Sequence, residues 1–173
     1  MGGFTMIEVL IAILIVSFSL LGMAGLVTRS TVVEVESIQR TQALLLARDM
    51  VERIQLNRAD ALAGRYNQSS AVMGAVTDCS GVTDAVARDI CEWGNLLGGV
   101  NESQGGRATS ALLGARGCIT LQPGTTNSYV VTVVWRGMAP VATPADACGA
   151  LPGEDVNLLR AVTSLVELGR LDT

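Results

Sequence analysis

The chain has 173 residues and a formal net charge of -4, so no basic field marks nucleic acid as its main partner. It contains no histidine, and all 12 basic residues are arginine. That excludes histidine-based acid/base catalysis, imidazole metal sites, Schiff-base lysines and P-loop lysines. At 49% hydrophobic but only 3% aromatic, with mean hydropathy +0.43, the chain is too apolar for disorder and for an average soluble domain.

The apolarity is concentrated at the start. Between Phe4 and Val27 one side chain ionises, that of Glu8. As a helix this stretch would span about 36 Å, enough to cross a hydrocarbon layer of about 30 Å. Ser17 and Ser19 can bond back to carbonyls of their own helix, so they do not forbid insertion. A carboxylate in such a segment is costly unless it finds a partner, which makes Glu8 the first candidate functional group. If the chain were cut between Gly3 and Phe4, the new α-amine would lie one helical turn before Glu8.

The helical pattern continues to about Asn57. Ala43, Leu44, Leu46, Ala47, Met50, Val51 and Ile54 fall in one arc of about 160°, the core-facing stripe of an amphipathic helix. Leu45 and Leu56 lie outside it. Glu36–Arg40, Arg48–Glu52 and Asp49–Arg53 have the i,i+4 spacing of helix-surface ion pairs. One helix from Phe4 to Asn57 would be about 80 Å long, too long for a domain of this size, so about half must sit in a membrane or an assembly. Gly22 and Gly25 are its weak points, suited either to close packing in a bilayer or to a local bend.

Asn57 to Gly81 reads as a connecting loop. Asp84–Leu97 has Val86, Ile90, Trp93 and Leu97 on one helical face, and Trp93 and Trp135 read as core residues. Gly98–Gly117 is loop-like, with a helical turn expected near Ala108–Leu113. Asp84, Asp89 and Glu92 read as a solvated helix face, since their spacing is not that of a calcium loop. Cys118–Gln122 and Ser128–Arg136 make an antiparallel hairpin around Pro123-Gly124. Met138–Gly153 is a Pro/Gly/Ala loop carrying Cys148. Leu158–Leu168 suits a strand or a helix, with strand favoured because the hairpin offers an open edge. The fold class is therefore α+β, with the amphipathic half of a long helix covering one face of a small antiparallel sheet.

Four cysteines, Cys79, Cys91, Cys118 and Cys148, lack the close pairs of a zinc site, so no metal is expected. Two disulfides in an oxidising compartment fit better. Of the three possible connectivities, Cys79–Cys91 with Cys118–Cys148 closes the shortest loops. Arg29, just after the apolar span, would by itself favour that end inside the cell; the cysteines argue the reverse. Nothing in the chain has the context of a catalytic nucleophile, so the expectation is a protein that is not an enzyme and uses no cofactor.

The run Gly3-Phe4-Thr5-Met6-Ile7-Glu8-Val9-Leu10-Ile11-Ala12 resembles the prepilin signature of type IV pilins and related pseudopilins. The resemblance implies residues 1–3 as leader, 4–27 as the transmembrane half of the helix, 28–57 as its amphipathic half, and 58–173 as a periplasmic head. It implies cleavage after Gly3 by a prepilin peptidase, N-methylation of Phe4, and pairing of Glu8 with the N-terminus of a neighbouring subunit. The stretch Gln42–Arg58, Asp78-Cys79, Asp89–Leu97 and Tyr129–Gly137 followed by Cys148 are similar to minor pilins of the PilV type. That similarity implies a low-abundance subunit that primes pilus assembly at the inner membrane and sits near the tip of a filament used in adhesion and motility. Its partners would be other minor pilins, the major pilin and the inner-membrane assembly platform. The I-type pseudopilin of type II secretion shares the N-terminal pattern. In a different class, a secreted periplasmic enzyme or binding domain would use Phe4–Leu21 as a signal cleaved near Gly22–Ala24; a signal-anchored protein that never polymerises is the third alternative.

Overall fold

The computed structural model describes residues 3, 5–68, 70–100, 103–104, 107–108, 112–142, 144 and 148–169. It divides into two compact units, residues 1–37 and 38–173. The helix α1, Met6–Leu56, is continuous through Gly22 and Gly25 and contributes to both.

In the first unit every described side chain of α1 up to Thr31 is exposed. An 18-residue window here has mean hydropathy 2.6 with none of it buried, long and apolar enough to cross a membrane. Ser17, Ser19, Thr28 and Thr31 each donate to the carbonyl four residues earlier, at 2.7, 2.8, 3.1 and 3.0 Å. Their hydroxyls are thus satisfied within the helix and need no water.

The second unit is the α+β head. Ala43, Ala47, Met50 and Ile54 of α1 are fully buried, with Leu46 and Val51 packed against them. Leu44 stays half exposed, and Gln39 extends the buried face one turn earlier. The connection expected after Asn57 holds two small elements: α2, Arg58–Leu62, and β1, Val72–Met73. The helix α3, Ala85–Leu97, begins at Asp84, whose side chain accepts the Ala87 N–H as an N-cap. It buries Val86, Trp93 and Leu97.

No described residue supports the helical turn expected near Ala108–Leu113. Ala108 pairs with Ser103 in a small hairpin of β2, Ser103–Gln104, and β3, Arg107–Ala108. Leu113 opens a strand, and residues 109–111 lie outside the described set. That strand, β4, runs Leu113–Leu121, five residues longer at its start than expected, with an irregularity between Leu113 and Arg116. It pairs antiparallel with β5, Ser128–Arg136, which pairs in turn with β6, Leu159–Glu167. The sheet order is β1-β4-β5-β6, so the third large strand lies on the open edge of the hairpin.

Tyr129, Val131, Val133 and Trp135 face the helices and join the core cluster with Ile119, Val162 and Val166. The alternate residues Thr132 and Val134 are buried too. The segment after β5 returns over that second face and carries Cys148 to Cys118, the cross-strand neighbour of Thr132. This double cover explains why β5 is almost continuously apolar instead of alternating. A second disulfide joins Cys79 to Cys91. Closing 12 and 30 residues, the two bonds contribute about 3 and about 3.5 kcal/mol on the chain-entropy account.

Trp93 packs closely on β4 at Gly117. A Cβ placed on Gly117 would meet the Trp93 ring at 1.9 Å, and Trp93 Nε1 donates to Leu46 O at 2.8 Å. Indole, helix and strand are therefore locked together, and Gly117 is glycine because no side chain fits. Gly117→Ala is expected to destabilise the head by about 2 kcal/mol or more through overpacking, read as a lowered urea midpoint.

Candidate assembly site

Glu8 sits in the first turn of α1. Its N–H donates to Thr5 O at 3.1 Å, and the Val9 N–H reaches the same carbonyl at 3.4 Å, so the helix is already wound when Glu8 is reached. A carboxylate here meets the positive end of the helix dipole. The neighbouring surface is a shallow concavity lined by Val9, Ala12, Ile13, Val16 and Ser17. Ser17 is bonded to its own helix, so Glu8 is the ionisable group of this apolar surface. Gly3 is exposed and lies outside the helix; Phe4, the residue expected to carry a methylated amine, lies outside the described residues. The site as described is one acidic group, displayed at the start of an apolar helix.

Three charged clusters stand out among the described residues of the head. In the first, Arg53 of α1 bonds Asp49 at 2.8 Å, Asp89 at 3.2 Å and Glu92 at 2.7 Å. Burial opposes its charge, but the hydrogen bonds with Glu92 and Asp49 outweigh burial and raise the guanidinium above its ordinary value. The Tyr66 hydroxyl donates to Asp89; burial first, then that carboxylate, push the phenol upward. In the second cluster Arg65 bonds Asp60 at 2.8 Å and also Asp84. The Ala87 N–H and then Arg65 hold the Asp84 carboxyl below its ordinary value of 3.8. The three acids expected on a solvated helix face are therefore engaged: Asp84 caps α3 and binds Arg65, while Asp89 and Glu92 tie α3 to α1. The pattern along α3 gave no sign of this, because both arginines come from other elements.

The third cluster is the most buried. Arg116 is 1% exposed and grips Glu154 through Nη2 at 2.6 Å and Nη1 at 3.3 Å, while its Nε donates to Cys148 O at 3.3 Å. Glu154 also accepts the Leu151 N–H at 3.1 Å. Nothing in the sequence pairs these residues, which are 38 positions apart, although an arginine two positions before a cysteine in a strand shares its face. No group of three or more His, Cys, Asp or Glu among the described residues is arranged to hold a metal ion.

A family model described as Tt1218-like, type IV pilin Tt1218, matches residues 25–94. The matched stretch, under half of the chain, runs from Gly25 in α1 through the loop with Cys79 to Trp93 and Gly94 in α3. Comparison with curated proteins and with solved structures gave no match. The chain is thus similar to a type IV pilin family over the head half of its long helix and the first helical layer of its head.

Burial alone would push the Glu154 carboxyl up, but the hydrogen bonds from Arg116 and the Leu151 N–H hold it below its ordinary value of 4.5. A carboxylate with a depressed folded-state pKa stabilises the fold above its unfolded value and loses that contribution as pH falls through the folded value. Wild type should therefore exceed Glu154→Gln in thermal midpoint at pH 7. The gap should narrow steadily below about pH 4.5, where the unfolded carboxyl begins to take up its proton.

Proposed function

We propose that this chain is a type IV pilin subunit: a minor pilin, resembling the PilV type, that primes assembly at the inner membrane and enters the filament near its tip. The observation that carries the reading is Glu8, a carboxylate in the first turn of a helix whose other side chains through Val27 are uncharged and whose described ones are exposed. Such a surface demands a non-aqueous environment, and a carboxylate in that environment demands a cation. Cleavage after Gly3 creates one at Phe4. The α-amine of a neighbouring subunit then meets Glu8, and packing of apolar helices excludes water from the pair. The similarity of residues 25–94 to a type IV pilin family supports the same reading.

In this account the protein crosses the inner membrane once, with residues 4–27 in the bilayer and residues 58–173 in the periplasm. The disulfides support the oxidising side for the head. The prepilin peptidase processes the chain and methylates Phe4, and the assembly platform and the other pilins are its later partners.

N-terminal sequencing and mass measurement of the membrane-extracted protein should find N-methylated Phe4 as the first residue. Glu8→Ala should leave membrane insertion and processing intact and reduce surface pili at least tenfold, counted by electron microscopy. A mature protein that retains Met1, or begins at Gly25, overturns the proposal. Intact piliation with lost protein secretion would assign the chain to the type II secretion pseudopilins.

A further inference from the structure

Each disulfide is accompanied by a side-chain clamp that reaches from the element of one cysteine to the backbone beside the other. On α3, Asn95 lies four residues after Cys91 and so on the same helix face. Its Oδ1 accepts the Thr77 N–H at 2.6 Å and its Nδ2 donates to Thr77 O at 2.8 Å, as a neighbouring strand would. The same Nδ2 lies 3.2 Å from Cys79 Sγ, and Thr77 Oγ1 lies 3.5 Å from Cys91 Sγ. On β4, Arg116 lies two residues before Cys118 and so on the same sheet face. Its Nε binds Cys148 O, and its other nitrogens hold Glu154, which fixes Leu151 N–H. Gly149 is part of this fit, since a Cβ there would meet Ala71 Cβ at 2.3 Å. Both clamps thus use the periodicity of their own element, four on the helix and two on the strand, to stand beside a cysteine.

Four thiols admit three pairings, and closure entropy separates them only logarithmically with loop length. We propose that Asn95 and Arg116 are positioning residues for oxidation: they make these bonds while the thiols are still reduced, and so direct Cys79 to Cys91 and Cys118 to Cys148. The chemistry itself is thiol–disulfide exchange with a small-molecule disulfide. One cysteine thiolate attacks the reagent and displaces a thiolate. The second cysteine thiolate attacks the mixed disulfide and displaces the other. Two cysteine thiols are oxidised, two electrons reduce the reagent to two thiols, and the two protons finish on those thiols. Asn95 and Arg116 neither give nor take an electron; they hold each pair of sulfurs within reach, which raises the effective concentration of the second thiol.

The test uses the full chain in detergent micelles, reduced in urea and then diluted into a glutathione redox buffer. Samples are quenched by alkylation, and the pairings are mapped by peptide mass spectrometry. Asn95→Ala should slow formation of Cys79–Cys91 by about tenfold and leave Cys118–Cys148 at the wild-type rate. Arg116→Met should do the reverse. Glu154→Gln, which keeps the size and shape of the side chain but leaves the Arg116 guanidinium without its counter-ion, should slow Cys118–Cys148 in the same selective way. Selective slowing of the matching bond supports the proposal. Wild-type rates in all three variants, or equal slowing of both bonds, overturn it.

Discussion

The constraint on which the rest depends is that a helix satisfies its own backbone. Only for that reason can α1 present apolar side chains in every direction between Met6 and Val27 and still be stable where water is absent. Ser17 and Ser19 are tolerated in the same segment because each finds a carbonyl four residues back. Glu8 has no such outlet. An ionised carboxylate cannot be neutralised by the backbone of its own helix, so its requirement passes to a group outside the helix. From Gln39 onward the same element obeys a different rule: one face is buried in the head, and the opposite face carries Leu45, Arg48 and Glu52.

The head solves a separate problem, that of a four-stranded sheet, three of its strands long, with helices packed on one face. Trp93 fills the space over Gly117 and ties α3, β4 and α1 into one core. Among the described residues no α-helix packs on the other face. It is covered by an irregular segment, which cannot bury its backbone without specific bonds. The disulfide to Cys118, the Arg116 fork and the Val141 N–H bonded to Asn157 O at 2.8 Å supply some of those bonds. An almost fully buried arginine is tolerated there because a carboxylate and two carbonyls surround it.

What could be read in the sequence was local or strongly periodic. The long helix, α3 and the hairpin around Pro123-Gly124 announce themselves by spacing, turn residues or β-branched runs, whereas Leu159–Glu167 suits strand or helix by pattern and is favoured as a strand only by the open edge of the hairpin. Glu8 stands out for the same reason: one charge interrupts a uniform segment. Features that exist only through distant partners were not legible. The two residues of β1 are a strand because Gly117 and Arg116 lie beside them. Gly114 and Gly117 disguised the start of β4 as loop. Asp89 and Glu92 looked solvated because Arg53, their counter-ion, lies on another helix. Arg116 and Glu154 were silent for the same reason.

The central strand has one consequence of its own. Val131–Val134 are flanked by β4 and β6 and covered by helix on one side and by the cystine-tethered segment on the other. Their amide hydrogens are bonded into the sheet, toward β4 or β6 in turn, and lie beneath those covers. Opening at β5 therefore lies at the costly end of the local motions of the head. A head built this way has its best-protected backbone at its centre.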